Sequence, residues 1–455
     1  MSASAGQRDL DNAATGRVPL RIAAFWGLGT LSTTTMLNGV SVVLLYFLVS
    51  YLKVEPWLAG SMLFGSKLLD VLTDPPMGLL SDRTRSRWGR RRPYLLGSAL
   101  FCGMSFAMLF NVPAAITGAG LYAFLALALA LYALSYTAFQ IPYMAMPAEL
   151  TDDYHERTRV MGWRVVFMTI GNMLGSAGVP ALVKLLGEDR AAFGEMGLIV
   201  GAVITVTMLM TFFGTAGARY TMQSSSDMGL RRHLVWLGRN RPLLVLMGMK
   251  ACIYAGISSF VAVMLFFLSS VLQKGPAELA VYGLSQTVST IAFTPAGAWL
   301  SRRIGKRRAY AFCLVGFVAV MGTWALATPA EPLALIALRG VVLGAFAAGN
   351  FLYGNSMLMD SFAWDYRQTG VRREGILSAA FSFVEKTSLA FGPLVIGVLL
   401  SSMGFDKNLP PDAPQSASAV QAMYIGFIWI PMGCQLVAAA LLRFYRLEQA
   451  DLAVD

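Results

Sequence analysis

Residues 67–76 read Lys-Leu-Leu-Asp-Val-Leu-Thr-Asp-Pro-Pro inside an otherwise apolar stretch, with Asp70 and Asp74 four residues apart. On a helix that spacing puts both carboxylates on one face, about 5 to 6 Å apart. A charge near the middle of a membrane span costs at least ~2.5 kcal/mol. Two carboxylates this close repel in a low dielectric unless a cation or a proton lies between them, so the pattern points to cation binding. The blander reading pairs Lys67 with Asp70 and lets Asp74 reach toward the end of the helix.

Arg164 and the neighbours Glu385 and Lys386 are the next charges set in apolar sequence. Such groups usually face a bundle interior or a cavity. They read either as cationic walls that meet Asp70/Asp74 or an anionic substrate group, or as salt bridges that only hold conformation, with Glu385 neutralising Lys386. Adjacent residues lie about 100° apart around a helix, so Lys386 is expected to face the cavity without Glu385 and to contact Asp70/Asp74 when the cation is absent. Lys250 and Arg339 are expected to snorkel toward a membrane surface. Cys102, Cys252, Cys313 and Cys434 all fall in apolar runs, and His155 and His233 in polar segments. No metal centre, disulfide framework or histidine acid–base site follows from them.

The elements that must hold these charges follow from composition. Of 455 residues, 56% are apolar or aromatic and only 13% charged, against about 25% charged in soluble domains. A soluble enzyme is excluded, as is any sizeable domain outside a membrane. Apolar runs long enough to span a bilayer occur at 22–51, 57–80, 94–112, 115–146, 161–184, 194–217, 243–272, 277–300, 310–329, 332–358, 376–403 and 418–442. Of the 36 Lys and Arg, 26 fall in the tails and in the loops after even-numbered spans, 5 on the opposite side and 5 within spans. That bias places both termini in the cytoplasm and accounts for the net charge of +11 without nucleic acid. The first apolar run lacks the short core and cleavage site of a signal peptide, so it is expected to be retained.

The chain also repeats. PPMGLLSDR at 75–83 aligns with PAGAWLSRR at 295–303, an offset of 220, and Gly89 to Tyr94 aligns with Gly305 to Tyr310 after a four-residue loop deletion. Asp70 and Asp74 map onto Thr290 and Thr294, so the second copy keeps the helix without the acids. The expected fold is an all-α membrane protein with twelve transmembrane helices in two pseudo-symmetric six-helix bundles, 1–217 and 242–455, joined by a cytoplasmic linker at 218–241. That is the plan of the major facilitator fold.

Asp70-x-x-x-Asp74-Pro with Met77-Gly78, then Thr84-Arg85-Ser86-Arg87-Trp88-Gly89-Arg90 and Pro93, resembles the melibiose-permease-like glycoside-pentoside-hexuronide:cation symporters. The likeness continues through Tyr136-Thr137-x-x-x-Ile141-Pro142 and Arg157-x-Arg159 with Arg164, and resumes from Asp360 to Glu374 and at Lys386. The resemblance implies that Asp70, Thr73, Asp74 and Thr137 coordinate Na+, Li+ or H+. Thr73 stands where the typical member has Asn, which leaves the ion open. It also implies a sugar site, but the family's carboxylate pair corresponds here to Thr34 and Gln140 and its helix-4 Trp to Met144. Tyr136 and Arg164 are kept, and Gln140, Tyr143, Trp163 and Asn172 remain as hydrogen-bonding groups. The loops Arg83 to Arg92 and Arg302 to Arg308 resemble the facilitator latch, with Asp82, Arg83, Arg87, Arg91 and Arg303 as its members, or serve as topology signals and lipid contacts.

The expected function is a cation-coupled symporter of a glycoside or related polar metabolite in the inner membrane, working by alternating access. It would use no cofactor, catalyse no covalent chemistry, bind no nucleic acid and act as a monomer. Its partners are a small-molecule substrate, the coupling cation and the bilayer. The alternatives are transport of lysolipid or another amphiphile and, more remotely, a membrane prenyltransferase. The latter needs a second acid-rich motif, and Asp360 and Asp365 are expected near the loop after the tenth span.

Overall fold

The computed structural model describes residues 18–150, 154–216, 238, 240–369, 374–410 and 413–447. Most of the expected linker, 218–237 and 239, lies outside the described residues, as do His233 and the side chains of His155 and Arg157. Twelve helical spans run through them: α1 Leu20–Tyr46, α2 Pro56–Arg83, α3 Arg92–Phe110, α4 Ala119–Leu150, α5 Tyr154–Met173 continuing to Leu186, α6 Arg190–Gly214, α7 Arg241–Phe266, α8 Pro276–Ile304, α9 Lys306–Thr323, α10 Leu333–Thr369, α11 Glu374–Ser402 and α12 Ala417–Tyr424 continuing to Leu441. Ten are long and apolar enough to cross a membrane. The other two are α2 and α8, the helices matched by the internal repeat. α2 is diluted by Lys67, Asp70 and Asp74, and α8 by a run of Ser, Thr and Gln from Ser285 to Thr294.

The offset of 220 governs backbone geometry as well as sequence. α2 starts at Pro56 and α8 at Pro276. α1 ends in a π-turn at Phe47–Tyr51 and α7 in one at Phe267–Val271. Each is followed by a non-glycine residue with positive φ, Lys53 at 56° and Gln273 at 53°. The chain then closes on matching bonds, Val54 N–H to Leu48 O (3.0 Å) and Lys274 N–H to Leu268 O (2.8 Å). Left-handed backbone is unfavourable for residues with a Cβ, so its appearance at both equivalent positions marks one inherited corner.

Contacts group the chain into two compact units. The first holds α3 to α6 with α1 up to Val40 and α2 from Gly65; the second holds α7 to α12 with Ser41–Phe64. The α1–α2 corner thus packs within the second unit. Lys53 Nζ donates to Leu409 O (2.9 Å), Lys407 pairs with Glu55 (2.6 Å), and a Cβ on Gly60 would collide with the Pro393 carbonyl of α11.

Small residues let the helices of each unit approach closely, as expected where the solvent is lipid. In the first unit, Gly103 of α3 and Gly201 of α6 each face the other's carbonyl; in the second, Gly340 and Gly344 of α10 face the carbonyls of Tyr282 and Gln286 on α8. Large apolar side chains such as Leu100, Phe101, Phe213 and Phe312 are left exposed on the outer faces. Gly344→Val should drive a side chain into α8 backbone and lower stability by at least about 1–3 kcal/mol. Gly322→Ala, where the space is open, should be neutral. Thermal melting of both in detergent checks this, and equal melting temperatures would contradict the close packing.

The reading of Lys250 and Arg339 is corrected. Lys250 and Arg339 do not snorkel but are paired inside the second unit: Lys250 Nζ lies 2.5 Å from Glu385, and Arg339 donates to Glu331 (2.8 Å) beneath the Trp324 ring, 4.5 Å away. Burying a charge is tolerated only with such a partner. Asp360 and Asp365 lie within α10, which runs on to Thr369. Asp360 pairs with Lys306 at the start of α9 (2.6 Å), and Asn240 donates to buried Asp365 (3.4 Å). These polar contacts carry the helix past the end of its apolar run.

Candidate functional site

Asp70 and Asp74 converge on one hydroxyl. Thr137 of α4 lies 2.5 Å from Asp70 Oδ1 and 3.2 Å from Asp74 Oδ1, and a hydroxyl has one proton to share between the two carboxylates. Asp70 and Thr137 are almost fully buried, at 4% and 2% exposure. Thr73 Oγ1 spends its proton on the Leu69 carbonyl (2.8 Å) and stands 3.5 Å from Thr137 Oγ1. Pro75 and Pro76 sit inside α2 and lack the N–H groups that would meet the carbonyls of Val71 and Leu72. Carboxylate, hydroxyl and backbone oxygens are thereby concentrated in one turn of α2, which is the donor set a small hard cation takes. Lys67 lies over the rings of Tyr132 and Tyr136, at 5.8 and 6.0 Å.

The repeat copy shows what this helix looks like without a site. Thr290 Oγ1 donates to the Gln286 carbonyl (2.8 Å) and approaches the Gly344 carbonyl (3.2 Å), and Thr294 Oγ1 donates to the Thr290 carbonyl (2.7 Å). Both hydroxyls are used within helix packing.

Tyr136 and Gln140 are four residues apart on α4 and share a face. Tyr136 lies close enough to Asp70, Asp74 and Arg164 to feel the charge of all three. Gln140 Oε1 and Arg164 Nε are buried without hydrogen-bond partners. A buried unpaired polar atom costs about 1–3 kcal/mol, so both atoms have hydrogen-bonding capacity left for a water or a ligand. Thr34 on α1 and Trp163 on α5, next to Arg164, are both half-buried. Asn172 accepts from Asn38 Nδ2 (2.8 Å), a cross-helix amide pair that sequence reading had no charge to draw attention to. Tyr143 is placed differently: its hydroxyl donates to the Trp26 carbonyl (2.7 Å) and meets Thr30 (2.6 Å), and its ring stacks on Trp26 and Phe139. It belongs to the wall of the first unit.

The basic loop is tied within its own unit. Arg91 is buried and pairs with Asp82 while donating to Ser81 Oγ (2.5 Å), and Arg92 donates to the Phe212 carbonyl (2.9 Å) over the Phe212 ring. The turn closes at Gly89, whose φ of 89° suits glycine. Arg83, Arg87 and Arg303 stay exposed, Arg87 over Trp88 and Arg303 over Trp299.

In the second unit Glu385 faces Lys250 of α7, and Lys386 is half-buried one position on. Lys250 also lines a partly open cavity of about 180 Å³ bordered by α7, α8, α9, α10 and α11. Among its lining groups only Lys250 stood out in the sequence, because amides and aromatic residues in apolar spans carry no distinctive spacing.

A family model described as MFS/sugar transport protein matches residues 25–449. The inner membrane symporter YicJ of Escherichia coli K12 is 27% identical over 94% of this chain and 92% of its own length. The isoprimeverose transporter of Lactiplantibacillus pentosus is 27% identical over 90% of this chain and 85% of its own. Among solved structures, an inward-facing bacterial homologue of the human lysosomal transporter Spinster superposes with a TM-score of 0.66 at 14% identity, covering 94% and 95% of the two chains. At that identity the likeness speaks for the fold alone.

Proposed function

We propose, from the premise that the chain belongs to the family of MFS/sugar transport proteins, that it is a symporter of a glycoside or related polar metabolite, with Asp70 and Asp74 as the cation-coupling pair. The observation that carries the reading is the convergence of the two carboxylates on the single hydroxyl of Thr137. Two close carboxylates repel each other in a low dielectric. Na+, Li+ or H+ relieves that repulsion, and Thr73 and Thr137 complete an oxygen shell. Sugar hydroxyls are taken by the unpartnered Gln140 Oε1 and Arg164 Nε, with Tyr136 alongside, and with Thr34, Trp163 and Asn172 as further contacts. Lys386 of α11 is a further candidate substrate contact. Ion and sugar together favour the loaded state that reorients.

The protein so described is a monomer in the inner membrane with both termini in the cytoplasm, and the Asp82–Arg91 pair with Arg83, Arg87 and Arg303 serves as its latch. Isoprimeverose uptake into proteoliposomes under a Na+, Li+ or H+ gradient tests the coupling. Stimulation by one of the three is expected, and uptake indifferent to all three overturns it. A second test addresses the sugar contacts. In Gln140→Cys, isoprimeverose should slow labelling by a thiol reagent several-fold. Labelling unchanged by sugar, in a variant that still transports, moves the site away from α4.

A further inference from the structure

The cavity in the second unit has an unusual inventory for the interior of a helix bundle. Lys250 enters it with its ammonium 2.5 Å from Glu385, 3.9 Å from the Phe381 ring centroid and 4.9 Å from that of Tyr254. An ammonium has three N–H groups, and Glu385 is the one anionic group paired with this one among the described residues. Across the same space lie Gln286 and Asn350, and the Asn350 Oδ1 is buried with no donor. Phe351 adds another aromatic wall.

Three physical constraints define what fits. A cavity of roughly 150 Å³ holds benzene, so about 180 Å³ is room enough for a six-membered ring. The walls offer aromatic faces to an apolar ring face, and at the edge they offer both a donor, Lys250, and an orphan acceptor, Asn350. A hydroxyl satisfies both because it donates and accepts. The third constraint is charge. The one ammonium that lines the cavity, Lys250, is already neutralised by Glu385, so an anion brought against it finds no unpaired counter-charge there.

We infer that this cavity is a second substrate subsite, inside the second unit, that takes one neutral hydroxylated ring and rejects its carboxylate or sulfonate counterpart, with Lys250, Glu385 and Asn350 as its specificity-determining residues. The inference rests on the sugar-transport reading above and deepens it: the ring bound here is uncharged.

The test uses methyl β-D-glucoside and methyl β-D-glucuronide, which differ only in carrying a hydroxymethyl or a carboxylate group. Binding of each is measured to the full chain in nanodiscs at saturating coupling ion, alongside binding of the ion itself. The wild type should favour the glucoside by about tenfold or more. Glu385→Gln leaves Lys250 positive and should narrow or reverse that preference by a similar factor. Asn350→Leu, close in size and free of any charge change, should weaken the glucoside about tenfold and gives a reading even if Glu385→Gln fails to fold. Ion binding should be unchanged in Asn350→Leu, because Asp70 and Asp74 belong to the other unit. Wild-type preference for the glucoside that both variants leave intact would overturn this subsite while sparing the sugar reading. Wild-type protein that binds the ion but neither probe would count against the sugar reading and take the subsite with it.

Discussion

Asp70→Asn and Asp74→Asn should each abolish uptake driven by a cation gradient while leaving exchange of substrate across the membrane. The two carboxylates are held by one Thr137 hydroxyl, at 2.5 and 3.2 Å, and Asp70 is 4% exposed. Both charges act directly on an ion entering this place. Deleting one partner of a buried charge pair costs on the order of 3–5 kcal/mol, which is a loss of at least ~100-fold in ion affinity. The proposed sugar contacts, Gln140, Tyr136 and Arg164, are separate groups, so substrate binding should be spared. Thr137→Val should be milder, about 1–3 kcal/mol, since it removes a hydroxyl and leaves both charges. The check is Na+, Li+ and H+ stimulation of proteoliposome uptake, with counterflow as the control. Equal stimulation in wild type and in the Asp70→Asn, Asp74→Asn double variant would sink the assignment.

This pair was legible in the sequence because charge is rare in an apolar span and because four-residue spacing has one meaning on a helix. The repeat was legible for a similar reason: proline, serine and arginine recur at the ends of α2 and α8, where turn chemistry tolerates few alternatives. Its deeper extent, the π-turns and the left-handed Lys53 and Gln273, left no residue signature. Lys and Gln are not residue types that announce positive φ.

Pairing across helices was less visible. Glu385 pairs with Lys250, far away in the chain, and no local rule connects them. Arg339 shows the same limit. A lone cation in a span reads as a candidate for snorkelling, whereas Glu331 holds it inside from the α9–α10 connection. Tyr143 shows the reverse case, a polar side chain in a promising place whose hydroxyl is already committed to Trp26 and Thr30. Hydroxyl direction is decided by packing, which sequence spacing does not encode.

Arg339→Leu should destabilise the second unit strongly, and the reason lies with the residue left behind. Arg339 Nη1 donates to Glu331 Oε2 at 2.8 Å and Nη2 to the Thr323 carbonyl at 3.1 Å, while Nε reaches Thr323 Oγ1 at 3.2 Å. Nη2 also lies 2.7 Å from Glu331 Oε1, and the guanidinium stacks over Trp324. Glu331 is 6% exposed. With the guanidinium gone, a carboxylate remains buried with no counter-charge, a situation that costs about 3–5 kcal/mol. Replacing both partners by apolar residues removes that penalty, so Arg339→Leu with Glu331→Leu should recover most of the stability or exceed it. The measurement is thermal melting in detergent of wild type, the single variant and the double variant. A single variant that melts with wild type, or a double variant no better than the single, would show that the pair does not hold the α9–α10 connection in place.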